Sequence, residues 1–337
     1  MLKVLFIIVG RDAASSRVRC LDMQPVLAQH GIECDITELP NGLLARWQLF
    51  RRARYYDVVM LQKKLPSFPT IRLLRFHAKR LIYDIDDAVY CRDAPCGAPS
   101  SAFQHRARAA GFRRVVRMAD RVIAANRVLA DAVHGVCPQC QVTVLPSGIQ
   151  LAGLPRKHKF ELGEPPVVGW VGTTATQKYL AHLLPALRSA HEARPFELRV
   201  VSERPPELPG LSVKFVPWSL ATQNDEIANF DIGLMPLSDD SFAAGKAAYK
   251  LLQYLAAGVP AVCSAVGMNA DISDANKNCL AASSHDEFAG HMQRLFQDQT
   301  LRETLAERGQ RLVEKEYSLE RLGARLAETL KDVSSDG

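Results

Sequence analysis

Residues 241–264 read SFAAGKAAYKLLQYLAAGVPAVCS, and this stretch joins a helix to a buried strand. The apolar spacing predicts a helix over 246–257, which Gly258 and Pro260 end. The apolar residues 261–264 then predict a short strand with both faces buried. A helix that leads directly into such a strand is typical of an α/β fold with a parallel sheet.

Three polar side chains share one face of this predicted helix. Lys246, Lys250 and Gln253 stand at positions i, i+4 and i+7, which places them along one side. A lysine in the first turn opposes the partial positive charge of a helix start, at a cost of about 0.3–1 kcal/mol. A bound diphosphate would offset that cost, and Gln253 is then roughly 10 Å away by helix rise, at ribose distance. The alternative is an exposed lysine pair on a surface helix.

Short apolar runs alternate with amphipathic stretches along the whole chain. This alternation predicts two doubly wound, Rossmann-like α/β domains over 1–150 and 167–317. The polar stretch 151–166 is predicted to link them, and 318–337 to form a final helix and tail. The predicted strands are 3–9, 57–61, 81–85, 121–125, 142–145, 167–171, 197–201, 212–216, 231–236 and 261–264. The predicted helices are 17–30, 101–119, 176–190, 221–229, 246–257, 286–297, 301–316 and 319–330.

The composition is that of an ordinary globular chain. It has 337 residues, of which 47% are hydrophobic and 23% are charged, enough for two domains. No apolar run reaches the ~18–20 residues of a membrane span. The apolar start, MLKVLFIIVG, reads better as a first strand than as a signal peptide. We therefore predict a cytoplasmic protein.

Charge is distributed unevenly between the two halves. Residues 1–150 hold 22 Lys and Arg against 12 Asp and Glu, and the remaining residues hold 20 against 24. A basic first half indicates an anionic partner, such as a phospholipid surface, a phosphorylated lipid or nucleic acid. The alternative is a solvated basic face. The basic aromatic segment 44–56, LARWQLFRRARYY, is either a membrane-surface helix or an ordinary helix that covers the sheet.

Eight cysteines are present, and the spacing of Cys137 and Cys140 is that of a zinc ligand pair. Cys91 and Cys96 are the other candidates, but their spacing is wide. We predict no metal, and interpret most cysteines as small buried residues of a reducing compartment.

Two loops of the second half carry further polar candidates. VVGWVGTTATQKYL places Gly172 and Thr173 after a strand, where small residues and hydroxyls bind phosphate; a tight turn is the alternative. DIGLMPLSDD ends with Asp239 and Asp240, which either bind a sugar hydroxyl, face solvent or pair with Lys246.

The first half has a similar set of strand-end residues. Arg17 and Arg19 follow the first strand and are predicted to bind an anionic acceptor or the donor phosphates. YDIDDAVY places Asp86 and Asp87 after another strand, to position an acceptor hydroxyl or act as a base, with helix capping as the alternative. Lys63, also at a strand end, serves either anion binding or solvation.

These segments resemble a known family. PLSDDSFAAGKAAYKLLQYLAAGVPAVCSAVGMN is similar to the donor-binding region of GT-B glycosyltransferases of the family 4, or group 1, type. VVGWVGTTATQKYL resembles the opening strand of their carboxyl-terminal domain, and VLPSGI the hinge before it. SSRVR and YDIDDAVY are similar to segments of a bacterial subgroup that builds surface polysaccharides. The resemblance implies two Rossmann-like domains around a cleft, with a carboxyl-terminal helix that crosses back to the first domain.

The chain departs from the family at one pair of positions. Many relatives carry Glu-x7-Glu where this sequence has Gly245 and Gln253. An amide at Gln253 can still bond a ribose hydroxyl. The sugar contact is left to Asp239, Asp240 or a backbone amide.

The resemblance implies transfer of a sugar from a nucleotide diphosphate sugar to a glycan or lipid-linked acceptor, with retention of configuration. We predict Lys246 and Lys250 as catalytic groups that neutralise the leaving diphosphate, with help from amides near Gly172 and Thr173. The leaving phosphate takes the acceptor proton, so neither a metal nor a cofactor beyond the donor is expected. Trp218 is placed at the nucleobase.

On the acceptor side, Asp87 is predicted as a further catalytic residue, and Arg17, Arg19 and Asp86 as acceptor contacts. Domain closure excludes water. The expected setting is cell-surface polysaccharide synthesis, in the cytoplasm or at the cytoplasmic face of an anionic membrane.

Two other functions fit the same fold. The absent Glu pair is compatible with an inactive protein that binds a nucleotide sugar, and an epimerase would act on the donor without any acceptor. The basic residues are scattered and no nucleic-acid-binding motif appears, so no nucleic acid is predicted as a partner.

Overall fold

Each of the two domains is built on one parallel sheet. The computed structural model describes residues 1–91 and 102–335. The first sheet contains β1 (Leu2–Ile8), β2 (Ile32–Glu38), β3 (Val58–Gln62), β4 (Leu81–Ile85), β5 (Arg121–Ala124) and β6 (Gln141–Val144). The second contains β7 (Val167–Val171), β8 (Glu197–Ser202), β9 (Val213–Pro217), β10 (Ile232–Met235), β11 (Ala261–Ser264) and β12 (Leu280–Ala282).

The strand order places a crevice in each sheet. The first sheet runs β2-β1-β3-β4-β5-β6 and the second β12-β11-β10-β7-β8-β9. In both, the chain starts at an inner strand, builds out to one edge and then crosses to the other side. Ligands bind outside the carboxyl ends of the strands at such a reversal. The predicted two-domain, doubly wound α/β fold is confirmed.

Helices cover both sheets. In domain 1 they are α1 (Ala14–Ser16), α2 (Gln24–Gln29), α3 (Leu43–Ala53), α4 (Phe68–His77), α5 (Ala102–Val116) and α6 (Arg127–Val136). After β7 follow α7 (Gln177–His182), α8 (Leu184–Ala193), α9 (Gln223–Ala228), α10 (Ser241–Ala244), α11 (Tyr249–Ala256), α12 (Met268–Ser273), α13 (His285–Gln297), α14 (Gln299–Leu312) and α15 (Leu319–Ser335). Single π-helical turns occupy Arg17–Leu21 and Val313–Tyr317.

The last helix returns to the first domain, as the resemblance implies. Leu322, Leu326 and Leu330 of α15 are buried in one cluster with Val4 and Phe6 of β1. Burial of this apolar stripe ties the end of the chain to the first sheet.

The chain passes between the domains twice, and the two passages lie side by side. Ile149 pairs with Ser318 in an isolated parallel bridge. The Ile149 amide donates to the carbonyl of Tyr317, and the Leu319 amide donates to the carbonyl of Ile149. A side chain at Gly148 would lie 2.8 Å from the Leu319 Cα, so the two passages are in direct contact.

Two strands were not predicted, and both lie at sheet edges. β2 reads IECDITE and alternates apolar with charged residues, because only part of an edge strand is covered. β12 has three residues, too few to give a pattern. The helix predicted over 17–30 is divided by the π-helical turn at Arg17–Leu21, where the Asp22 amide donates to the Arg17 carbonyl.

Candidate functional site

A cavity of about 290 Å3 lies between the domains, at the carboxyl ends of both sheets. Domain 1 contributes Lys63, which follows β3, and Asp86 and Asp87, which follow β4. Domain 2 contributes Lys246 and Lys250 from the segment after β10. Five charged groups from two domains therefore meet at one place.

The segment that carries Lys246 is not a helix start, which corrects the prediction. Gly245 ends the short helix α10, and α11 begins only at Tyr249. Between them Ala248 has φ of 49°, a left-handed backbone that is uncommon for alanine. This residue interrupts the right-handed helical backbone, so Lys246 lies in a loop. The lysine in the first turn of the helix is Lys250.

Lys250 is held closely by the loop after β7. Its ammonium donates to Thr176 Oγ1 at 3.1 Å and lies 4.9 Å from the centre of the Trp170 ring. A side chain at Gly172 would come within 2.8 Å of the Lys250 Cε and 2.5 Å of the Trp170 ring, so glycine is required there. Burial and then the neighbouring Lys246 lower the pKa of Lys250 to about 7. An anion bound beside Lys250 would restore its full charge.

Asp87 bridges ammonium groups from both domains. Lys63 Nζ donates to Asp87 Oδ2 at 2.5 Å, and Lys246 Nζ lies 3.6 Å from Asp87 Oδ1. Lys63 Nζ also lies 3.0 Å from Asp86 Oδ1. Burial alone would raise the pKa of Asp87, but the two lysines outweigh it and hold that pKa below its ordinary value. For Asp86 burial prevails over Lys63 and raises the pKa.

Lys63 adopts a backbone that is rare for lysine. Its φ is 53°, and its amide donates to the Asp84 carbonyl at 2.9 Å on the neighbouring strand. Such conformations cost of order 1–3 kcal/mol and occur where surrounding structure enforces them, often at functional sites. Burial opposes the charged form of Lys63, but Asp86 and Asp87 raise its pKa above the ordinary value.

Asn126 fixes the Lys246 loop to domain 1. Its Nδ2 donates to the carbonyl oxygens of Gly245 and Lys246, each at 3.1 Å. Its Oδ1 accepts from the Leu129 amide at 2.9 Å and caps α6. A side chain at Gly245 would lie 2.8 Å from the Cβ of Ala88. The position at which relatives carry the first glutamate is thus packed against domain 1 and has no room for a side chain.

Two predicted residues meet across the cleft. The Arg17 guanidinium of domain 1 lies 5.8 Å from the ring centre of Trp218, which follows β9 in domain 2. The Trp218 indole donates to Gln223 Oε1 at 3.0 Å, which fixes the ring. Trp218 is 36% exposed, so it offers a surface to a flat ligand.

Arg19 is placed in the core, which corrects its prediction as an acceptor contact. It is 4% exposed, and its Nε donates to both carboxylate oxygens of Asp84 at 3.0 and 2.9 Å. Its Nη1 donates to the Leu145 carbonyl at 3.1 Å. This buried pair holds strand ends together and does not face the cleft.

The remaining donor-side residues lie at the margin of the cavity or beyond it. Gln253 is 8% exposed inside α11, and Thr173 is an exposed residue next to Gly172. Asp239 lines a second cavity of about 370 Å3 with His182 and His285, at the carboxyl ends of β10 to β12. These positions leave Lys246 and Lys250 as the predicted donor-side residues whose charges reach the cleft.

One pair of cysteines differs from the predicted free thiols. Cys137 and Cys140 form a disulfide rather than two thiols. The free cysteines that are buried are Cys20, Cys91, Cys263 and Cys279, and Cys34 is partly buried. Cys96 lies outside the described residues. Among residues 1–91 and 102–335, no group of three or more His, Cys, Asp or Glu is placed to hold a metal.

Sequence comparison identifies the second domain. Residues 165–298 match the family described as glycosyl transferases group 1. This range covers most of the carboxyl-terminal domain, and over it the predicted resemblance to group 1 glycosyltransferases is confirmed. No curated protein sequence matches the chain significantly.

Solved structures extend the match to the whole fold. Sucrose-phosphate synthase from Thermosynechococcus elongatus superposes with a TM-score of 0.78 at 15% identity, over 100% of both chains. HepE from Anabaena in complex with UDP-glucose gives 0.73 at 15% identity, over 98% of this chain and 100% of its own. A glycosyltransferase from Rickettsia africae gives 0.72 at 11% identity, over 100% and 99%. At these identities the likeness establishes the GT-B fold.

Proposed function

We propose that this chain transfers a glycosyl residue from a nucleotide diphosphate sugar to an acceptor hydroxyl, with retention of configuration. One observation carries the proposal. Lys63, Lys246 and Lys250 bring three ammonium groups to the cavity between two parallel sheets, against the two carboxylates of Asp86 and Asp87. The three positive charges exceed the two negative ones, and this excess attracts an anion such as a diphosphate.

The charged groups suit departure of a diphosphate. In the proposed step the bond between the anomeric carbon and the phosphate oxygen breaks, and the acceptor oxygen bonds to that carbon. The acceptor proton passes to the leaving phosphate oxygen. Lys246 and Lys250 stabilise the charge that develops on this phosphate, which is where electrostatic catalysis is most effective. Asp87 orients the acceptor hydroxyl.

Uridine diphosphate is the first donor class to test. HepE is described in complex with UDP-glucose, and a structurally similar α-glucosyltransferase in complex with UDP-glucose and DNA. In this chain Trp218 offers a face for the base, with Arg17 on the opposite side of the cleft.

We place the acceptor at an anionic membrane because of an exposed aromatic surface on domain 1. The α3–α4 surface consists of Leu43, Leu44, Trp47, Phe68 and Phe76, which are 42–82% exposed. Arg51 stacks on Trp47 at 4.6 Å and Arg72 on Phe68 at 5.6 Å. Exposed apolar groups flanked by arginines suit the surface of an anionic bilayer.

The α3–α4 surface begins at the same edge of the first sheet as the cavity. α3 and α4 start after β2 and β3, at the carboxyl ends of these strands, which is the edge where the cavity opens. A lipid-linked acceptor in the membrane would therefore meet the site from the rim. No described helix has the length and apolar character needed to cross a bilayer, so the proposed contact is peripheral.

The donor proposal is tested by thermal unfolding of the purified chain with UDP, GDP, TDP, CDP and ADP in turn, beside Lys246→Ala. Saturation at 100 times the Kd adds about 2.7 kcal/mol of stability. We expect one diphosphate to stabilise the wild type and not the variant. No shift with any diphosphate would contradict the proposal.

Turnover separates transfer from the two other functions. With the matching nucleotide sugar and a lipid-linked acceptor, transfer supports the proposal. Binding without turnover supports an inactive scaffold, and conversion of the donor without acceptor supports an epimerase. Sedimentation with phosphatidylglycerol vesicles tests the membrane contact: Trp47→Ala with Phe76→Ala should release the chain, and pure phosphatidylcholine vesicles should not bind it.

A further inference from the structure

One carboxylate stands where a diphosphate would bind. Asp87 contacts Lys246 through Oδ1 at 3.6 Å and Lys63 through Oδ2 at 2.5 Å. Among the described residues, Asp87 is the carboxylate within 4.0 Å of Lys246. The other close neighbours of this ammonium are the rings of Phe242 at 4.8 Å and Tyr179 at 5.6 Å.

Lys63 and Lys246 play unequal parts in this arrangement. Lys63 belongs to the same domain as Asp87 and also contacts Asp86 at 3.0 Å. Lys246 comes from the opposite domain, its contact with Asp87 is longer, and its side chain is 16% exposed. An entering anion can therefore take Lys246 while Asp87 keeps Lys63 as its partner.

The exchange requires movement of one side chain only. Asn126 holds the carbonyl oxygens of Gly245 and Lys246 at 3.1 Å, so the backbone of the lysine is fixed from domain 1. Lys250 is anchored to Thr176 at 3.1 Å on the donor side of the cavity. A diphosphate that binds between the two lysines would contact the Lys250 ammonium where it already lies. The Lys246 ammonium would have to leave Asp87 to reach it.

We propose that Asp87 is a stand-in for the donor diphosphate: it holds Lys246 until the donor binds, and its Oδ1 is then released to accept a hydrogen bond from the acceptor hydroxyl. This inference rests on the proposed function and deepens it. Its consequence is an order of binding, donor before acceptor, because Asp87 is available to the acceptor only after Lys246 has left it.

The exchange makes an unusual prediction for Asp87→Asn. Removing the competing carboxylate should tighten binding of a diphosphate while slowing transfer, because the acceptor hydroxyl is no longer oriented. We expect the Kd of inorganic pyrophosphate and of UDP to fall about five- to tenfold, the scale of a modest coupling between sites. We expect kcat to fall at least about tenfold.

Two matched variants separate this exchange from a general charge effect. Asp86→Asn removes the same charge one residue away, from a carboxylate that contacts Lys63 and not Lys246, and should tighten pyrophosphate binding clearly less than Asp87→Asn does. Asp87→Glu keeps the carboxylate and should bind pyrophosphate with wild-type affinity. Asp87→Ser replaces Asp87→Asn if the amide variant does not fold.

Calorimetric titration with pyrophosphate and UDP decides the matter. Clearly tighter binding by Asp87→Asn than by Asp86→Asn, with slower transfer, supports the exchange. Unchanged or weaker binding overturns it, as does an equal gain from Asp86→Asn. If the wild type binds neither probe, the proposed function fails as well; if it binds both and Asp87→Asn shows no gain, only the exchange fails.

Discussion

Two carboxylates near the end of the same strand have opposite roles. Asp84 lies inside β4 and is closed off with Arg19, with no exposure of its own. Asp87 lies two residues beyond the strand and faces the cleft, where Lys63 and Lys246 reach it. The first pair is sealed in one domain, and the second spans two domains at a cavity. A charge that is fully enclosed has no access to a ligand, whereas one beside a cavity can exchange its partner for a ligand.

Breaking the enclosed pair should have the largest effect. Arg19→Ala leaves the Asp84 carboxylate buried without its partner, and we expect a loss of about 3–5 kcal/mol in the free energy of unfolding. Urea denaturation measures this. The matched change at the cleft is Lys246→Met, for which we expect about 1 kcal/mol, since Asp87 retains Lys63 and lies at a cavity. Equal losses would remove the distinction between the two pairs.

An intermediate effect is expected from pH, because Lys250 titrates near neutrality. Its pKa is about 7 in the folded chain and 10.5 ordinarily. As pH rises above about 7, Lys250 loses its charge, and the affinity for pyrophosphate should fall by up to about tenfold per pH unit. Titrations across this range measure it. Lys250→Met is the control: its affinity should vary only with the titration of pyrophosphate itself.

The same shift affects stability in the opposite direction. Between about pH 7 and 10.5 the unfolded chain binds more protons at Lys250 than the folded chain does. This group therefore makes the free energy of unfolding rise with pH in that window. A wild-type chain whose stability profile there matches that of Lys250→Met would contradict the assignment.

The smallest effect is expected at Arg17, which contacts Trp218 and none of the phosphate lysines directly. A cation–π contact of this kind contributes about 0.5–1 kcal/mol. Arg17→Ala should weaken UDP binding about two- to fivefold, and should leave pyrophosphate binding unchanged because pyrophosphate has no base. Equal weakening of both ligands would place Arg17 at the phosphates instead.

The fold was largely accessible from the sequence because most residues of the inner strands are apolar. β4 and β7 were predicted with their observed bounds. The missed strands are the edges β2 and β12: β2 alternates apolar with polar residues and has no apolar run, and β12 has three residues, too few to give a pattern. The disulfide between Cys137 and Cys140 also went unpredicted, since the same spacing suits zinc.

The site was accessible only in part. Lys246 and Lys250 do line the cavity, but they were chosen on the premise of a continuous helix that Ala248 interrupts, and their catalytic role stays a prediction. Nothing in YDIDDAVY distinguishes the enclosed Asp84 from the open Asp87, because that depends on Arg19 and Lys246, which are distant in sequence.

Asn126 shows the same limit from the other direction. Asn before a helix is a capping signal, and it does cap α6. Its second contact, to the carbonyls of Gly245 and Lys246, arises only when the domains meet.

The paired passage at Ile149 and Ser318 determines how this molecule can open. Two connections at separate places would brace the domains against rotation, and a single one would let them drift apart. Here the two connecting segments are hydrogen-bonded to each other at one place, between Ile149 and residues 317–319. Together they form a single hinge. We expect the domains to rotate about this hinge without separating. Lys246 and Asp87 would then return to the same relative position each time the cleft closes.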